Sequence, residues 1–320
     1  MTVGPETDTW RMPEPPVDVD RPYLRLLRNA TYRWWKPLVG LGLFFWTYLS
    51  VIAVLVIVPG VAYVSVKQNI DFLTDQGSPL VFLITNISLA ALIPCAMFPV
   101  WAVHRMDPRF LISVAKRFRW NWFWRCVGIS TAVVIGTYVL ASVLPVGAES
   151  SSGASRSSLG TFAGLALVVV LTTPLQAAGE EFAFRGYLGQ AIGAWVRFPA
   201  VSIVITSLLF ALAHGGQSAP LFLDRFAFGL VAGFLVMRTG GLEISIALHT
   251  VNNFVALLAA AAYSDFSEQL TSPDAPWSLV LIDLVQMTIF VVVAEAMRKR
   301  WMRQGLLQVS GGASSRPEGL

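Results

Sequence analysis

Charge is scarce in this chain. Only 13% of its 320 residues are Asp, Glu, Lys or Arg, and 55% are hydrophobic. A soluble domain carries about 25% charge, and the mean hydropathy here is +0.62. These values exclude an ordinary water-soluble globule. They predict an all-α fold, a polytopic membrane helical bundle. Cysteine is scarcer still: Cys95 and Cys126 are the only two, and no CxxC or Cys/His ligand spacing occurs. A structural zinc site is not indicated, and both thiols read as small apolar packers on the reduced, cytoplasmic side. The basic excess is small, 23 Lys+Arg against 19 Asp+Glu, too little to suggest a nucleic-acid partner. There is no internal repeat, no glycine-rich phosphate loop and no secretory signal. Residues 1 to about 20 are instead acidic and proline-rich (PEPPVDVDRP), unlike the basic-then-apolar start of a signal peptide.

What the chain does have is apolar runs near the twenty residues needed to span a bilayer. They fall at about 38–65, 79–103, 123–146, 161–190, 198–214, 220–237, 241–263 and 277–297, which predicts about eight transmembrane helices. The fifth and sixth are short enough to be tilted or partly re-entrant. Two further stretches read as amphipathic helices lying in the membrane interface. One is 21–36, where Tyr23, Leu26, Leu27, Tyr32, Trp34 and Trp35 interleave with Arg25, Arg28 and Arg33. The other is 104–125. Lys and Arg gather in the N-terminal tail, in the second-to-third loop and in the C-terminal tail, so the positive-inside rule places both termini in the cytoplasm. The expected division is a tail with an interfacial helix (1–37), three N-terminal spans with a basic loop (38–150), a core of five spans (151–300) and a C-terminal tail (301–320).

Ionisable groups at membrane depth are costly and usually functional, and here they concentrate in Gly179–Leu188, GEEFAFRGYL. Glu181 and Arg185 are four apart, acid first, and should pair on one helix face. Glu180 points about 100° away, on the face of Phe184, with no partner expected from its own helix. An unclaimed, desolvated carboxylate suits proton transfer near neutrality. Of the three histidines, His104 sits at a span end in a bland interfacial role. His214 ends SLLFALAHG one turn after Phe210. His249 shares a face with Asn253, while Asn252 falls on another. Asp224, Arg225, Asp283 and Glu295 are expected to reach water at span ends, with Glu243 at a loop edge. With a turn near 191–197, Glu180 lies roughly 20 Å from it and His214 roughly 30 Å, an imperfect depth match.

The constellation Glu180-Glu181-Phe-Ala-Phe-Arg185, Phe210-Ala-Leu-Ala-His214 and His249-Thr-Val-Asn-Asn253 resembles the CPBP family of intramembrane proteases. That family includes the type II CAAX prenyl proteases and bacteriocin-processing or self-immunity proteins (Abi). Its pattern of EExxxR, FxxxH and HxxxN/B is intact and in order over residues 160–262. The resemblance implies that Glu180 and His214 activate a water for attack on a peptide carbonyl. His249 and Asn253 would cradle the oxyanion, and Glu181, Arg185 and Phe210 would support them. It also raises zinc at Glu180, His214 and His249 with an open position, against which a metal-free glutamate mechanism accounts for every motif residue.

The expected function is therefore an endopeptidase acting on a membrane-associated protein or peptide, a prenylated CAAX-like one included, with the lipid bilayer as its surroundings. A non-proteolytic scaffold or bacteriocin self-immunity protein is a second reading, and a proton-coupled transporter a third. The Ala-, Val- and Arg-rich usage points to a bacterial inner membrane.

Overall fold

In a computed structural model, residues 22–58, 60–61, 78–143, 156–262, 266 and 274–307 are described. Those residues form helices and turns and no strand. Helix α1 (Lys36–Ile52) continues into a π turn, Ala53–Ile57. Helices α2 (Pro79–Ala90) and α3 (Leu92–Ala102) meet at Ala91 and together make one span. Helix α4 is Trp120–Val143. Helix α5 (Leu159–Glu181) runs through a π segment, Phe182–Leu188, into α6 (Gly189–Trp195). Then come α7 (Pro199–Leu212), α8 (Ala219–Thr239), α9 (Glu243–Ala261) and α10 (Trp277–Arg303). Several starts are set by proline in the first turn, as in α1, α2, α7 and α8, where the missing N–H costs nothing and φ is already helical. Helix α8 stops at Gly240, whose φ of 67° is a left-handed cap that glycine adopts without strain.

Over its described residues each of the eight apolar runs is mainly helix. Among the described residues seven stretches are long and apolar enough to cross a membrane, and Pro199–Leu212 is a shorter apolar helix. The sixth run, expected to be short, is a full 21-residue helix. This is a polytopic helical bundle and an integral membrane protein. Helix α5 packs on α2 and α9, and α9 also packs on α4 and α8. Helix α7 packs on α8, α8 and α4 both meet α10, and α1 joins through α3. Helix α9 is thus the most enclosed span, and α5 lies against it with one face turned outward. Apolar side chains such as Trp46, Leu49, Leu171 and Val292 are exposed on its flanks, as suits helices whose outward solvent is lipid. Cys95 and Cys126 are free and buried, as packers should be.

Two expected interfacial helices are absent. Within 21–36 the described residues contain one three-residue 3-10 turn, Tyr23–Arg25. Tyr23, Leu24, Leu26 and Leu27 are buried in the main core. They plug the bundle beside α6 instead of lying in the interface. Gly193 makes room for them, because a Cβ there would overlap the Leu24 carbonyl oxygen. The Tyr23 hydroxyl donates to the Leu111 carbonyl, while Trp34 and Trp35 remain exposed.

Within 104–125, only a 3-10 turn (Pro108–Leu111) precedes the start of α4 at Trp120. Residues 112–114 dock on the α8–α9 turn: Val114 N–H donates to Gly240 O and Leu242 N–H to Ile112 O, both at 2.9 Å. The cause lies 124 residues away. Glu243, expected at a water-facing loop edge, is fully buried and binds Arg119 through Nε at 2.7 Å and Nη2 at 2.6 Å. The Arg119 backbone N–H donates to the same carboxylate at 3.0 Å, and Nη1 donates to Thr239 O at 2.8 Å. A charge-assisted, bidentate pair of this kind fixes both partners. His104 is likewise buried rather than interfacial, with Nε2 3.4 Å from the Tyr187 hydroxyl. Burial, and then the nearby Lys36 charge, push its pKa down to about 4.

Candidate active site

The acid pair sits where α5 gives way to the π segment, a helix irregularity common at functional sites. Glu181 is fully buried. Its Oε1 accepts from Arg185 Nη1 at 2.9 Å, the expected i,i+4 pair, and from His249 Nδ1 at 2.9 Å. The ion pair therefore also holds an imidazole from α9. Because Glu181 in this pair is an acceptor, Nδ1 of His249 is the donor, and Nε2 is turned to Glu180 Oε2, 3.6 Å away.

Glu180 does have a partner within its own helix, contrary to the expectation from sequence. Gln176, four residues earlier, donates Nε2 to Glu180 Oε1 at 2.7 Å. Its Oε1 accepts from Asn253 Nδ2 at 3.1 Å. Glu180 Oε2 is buried and makes no hydrogen bond among the described residues. The signal for Gln176 was present, an amide four positions before the acid in an apolar run.

His214 lies just beyond the end of α7, and its Nδ1 is 2.8 Å from the Phe210 carbonyl. A carbonyl only accepts, so Nδ1 carries the proton and a neutral ring keeps Nε2 as its lone-pair nitrogen. The depth mismatch is resolved by the turn, which falls at 196–198, between Trp195 and Pro199. Glu180 lies 17 residues before Arg197 and His214 17 after it (197 − 180 and 214 − 197), roughly 25 Å either way.

Phe210 ties the three motifs together. Its ring packs edge-on against His214 at 4.8 Å and His249 at 6.0 Å. The Arg185 guanidinium stands 4.2 Å from its centroid, a cation–π contact of real weight when desolvated. Phe228 closes the other side of His249 at 5.0 Å.

Two cavities meet at His214. The larger, about 480 Å³, is apolar; Phe44, Phe45 and Tyr48 of α1 wall it, and Glu180 and His214 are its charged and imidazole groups. The smaller, about 280 Å³, holds His249, Asn252, Asn253, Asp224, Arg225 and Asp283. Asp224, Arg225 and Asp283, expected at water-facing span ends, are half-buried and line this cavity. Arg225 donates to Gln217 Oε1, and Asn252 accepts from Gln286 of α10 at 3.2 Å. Glu295 binds Arg238 and Arg298. Among the described residues no three His, Cys, Asp or Glu side chains are grouped as a metal ion requires.

Fold and site together define a polytopic membrane protein with a sheltered carboxylate beside two imidazoles and two amides. Residues 162–255 match the family described as Rce1-like, type II CAAX prenyl endopeptidase Rce1-like. That segment holds all three motifs and bears out the resemblance they carry. The chain is also 24% identical over 238 residues to the uncharacterized protein YyaK of Bacillus subtilis (strain 168), covering 68% of this chain and 78% of that one. No solved structure matches. The family implies protease activity of the CAAX type within the membrane.

Proposed function

We propose that this protein is a metal-independent intramembrane endopeptidase in which Glu180 and His214 activate water. The observation that carries the reading is that these two side chains line one cavity, which His214 joins to a second holding His249 and Asn253. Glu180 Oε2, free of hydrogen bonds, takes a proton from water, and Nε2 of His214 orients the same water. A base within hydrogen-bond reach of the proton it removes is the minimum requirement. The second amide N–H of Asn253 is a donor for the oxyanion, where such donors lower the barrier most, and Nε2 of His249 joins it when that ring is an imidazolium with both nitrogens protonated. Arg185 and Glu181 act through His249, and Phe210 packs all three in register.

The apolar walls beside Glu180 favour a substrate that brings an apolar flank, as a lipidated or membrane-embedded protein segment does. Residues 151–300 form the catalytic core in this reading, with α1 lending cavity wall from outside it. We place the chain in a bacterial cell membrane with both termini cytoplasmic, supported by the Lys and Arg distribution.

The test is cleavage of membrane-anchored reporter peptides by purified protein in bicelles. Wild type should cut with or without a chelator, and Glu180→Gln or His214→Ala should lower the rate at least 100-fold. Cleavage at wild-type rate by Glu180→Gln would remove the mechanism. Complementation of a deletion strain by that variant would favour a scaffold instead.

A further inference from the structure

We propose that Gln176 is a positioning residue for this site, a one-amide bridge that sets the orientation of both Glu180 and Asn253. The inference rests on the catalytic reading above for its consequence, but its geometry stands alone. The side chain is buried, as is that of Glu180. It donates to Glu180 Oε1 at 2.7 Å and accepts from Asn253 Nδ2 at 3.1 Å.

The direction of this relay follows from donor chemistry. An ionised carboxylate only accepts, so Gln176 must turn its NH₂ to Glu180. Its carbonyl then faces Asn253, which must answer with its own NH₂. One charged acid thereby fixes the flip of two amides on two helices. The bridge does three things for catalysis. It occupies Oε1, leaving Oε2 as the oxygen available to water. It holds the acid in one orientation at the wall of the larger cavity. It also commits one Asn253 N–H, so that the other has a defined direction.

No other side chain makes both contacts. Asn is one methylene too short from this position, and Leu or Met fills the volume but offers neither bond. Glu would set a second carboxylate against the first and cost the site its N–H donor. Gln176 lies outside the three motifs, which is why spacing rules centred on them pass over it.

Two measurements separate this proposal from the protease reading. The first needs no substrate. The carboxylate infrared band of Glu180, assigned by its loss in Glu180→Gln, is compared at one pH in wild type and in Gln176→Leu. Removing the N–H donor to Oε1 should shift that band, since a charge-assisted hydrogen bond is lost. Gln176→Glu, a carboxylate with no N–H to donate, should shift it as well, and it serves also if the leucine variant does not fold. The titratable groups around Glu180 are His249, His214, Arg225, Arg185, Glu181 and Tyr48. They are common to all variants and cancel in the comparison.

The second measurement is kinetic. Gln176→Leu should lower kcat about 10- to 100-fold, the loss expected for a hydrogen bond to a charged group. KM should change little. Adding Asn253→Ala to Gln176→Leu should cost less than the two single losses combined, since both act through one bridge. An unmoved band in both folded Gln176 variants overturns the proposal whatever the protein cleaves. A moved band in a wild type that cuts nothing keeps the bridge and retires the protease reading.

Discussion

The buried Arg119–Glu243 pair should be costly to break from one side, and Glu243→Gln tests it with little change in shape. Glu243 is fully buried and Arg119 nearly so. The substitution puts a neutral amide where a carboxylate takes three N–H bonds from Arg119. Breaking a buried pair by removing one partner costs about 3–5 kcal/mol, because the remaining charge stays desolvated. The same wall contains Gly241, where a Cβ would overlap Arg119, Glu243 and Ser113, so the surroundings have little room to relax. The assay is a denaturation curve in mixed micelles for wild type, Glu243→Gln, Arg119→Met and the double variant. The double variant should recover much of the loss, giving a coupling energy of a few kcal/mol. If Glu243→Gln falls within about 0.5 kcal/mol of wild type, the pair behaves as a surface contact and the reasoning fails.

Gly179→Val should destabilise the protein by about 1–3 kcal/mol and depress activity. Its Cβ would overlap the Leu89 carbonyl oxygen and part α5 from α2 beside Glu180. Gly42→Ala, with open space around it, is the matched control and should leave both unchanged on the same denaturation and cleavage assays. His104 is held neutral, with a folded pKa of about 4 set by burial and then by Lys36, against about 6.5 unfolded. The unfolded chain therefore binds the extra proton first. Stability from this residue is complete above about pH 6.5 and is lost progressively as pH falls towards 4. Thermal midpoints between pH 7.5 and 5 should fall in wild type and flatten in His104→Gln.

The parts of this molecule that could be read from sequence are those governed by local rules. Span lengths follow from the bilayer, and the Glu181–Arg185 pair follows from helical spacing. The histidine and asparagine positions follow from motifs that each sit within five residues. Gln176 obeys the same four-residue rule and was legible in principle. Glu243 and Arg119 were not, since their pairing joins residues 124 apart and turns two apparently surface charges inward. Residues 22–35 misled for a related reason. Arginines and tryptophans there imitate an interfacial helix, whereas the closely spaced Tyr23, Leu24, Leu26 and Leu27 fill a space that only the folded bundle creates. The joining of Glu180 and His214 depended on a turn a few residues later than expected, a boundary that periodicity alone leaves loose.

The most direct test of the central claim is single-turnover cleavage of a bicelle-embedded peptide in ¹⁸O-water, with wild type beside Glu180→Gln. The account predicts one labelled oxygen in the new carboxyl terminus from wild type and a rate at least 100-fold lower in the variant. Equal rates for the two proteins would contradict it.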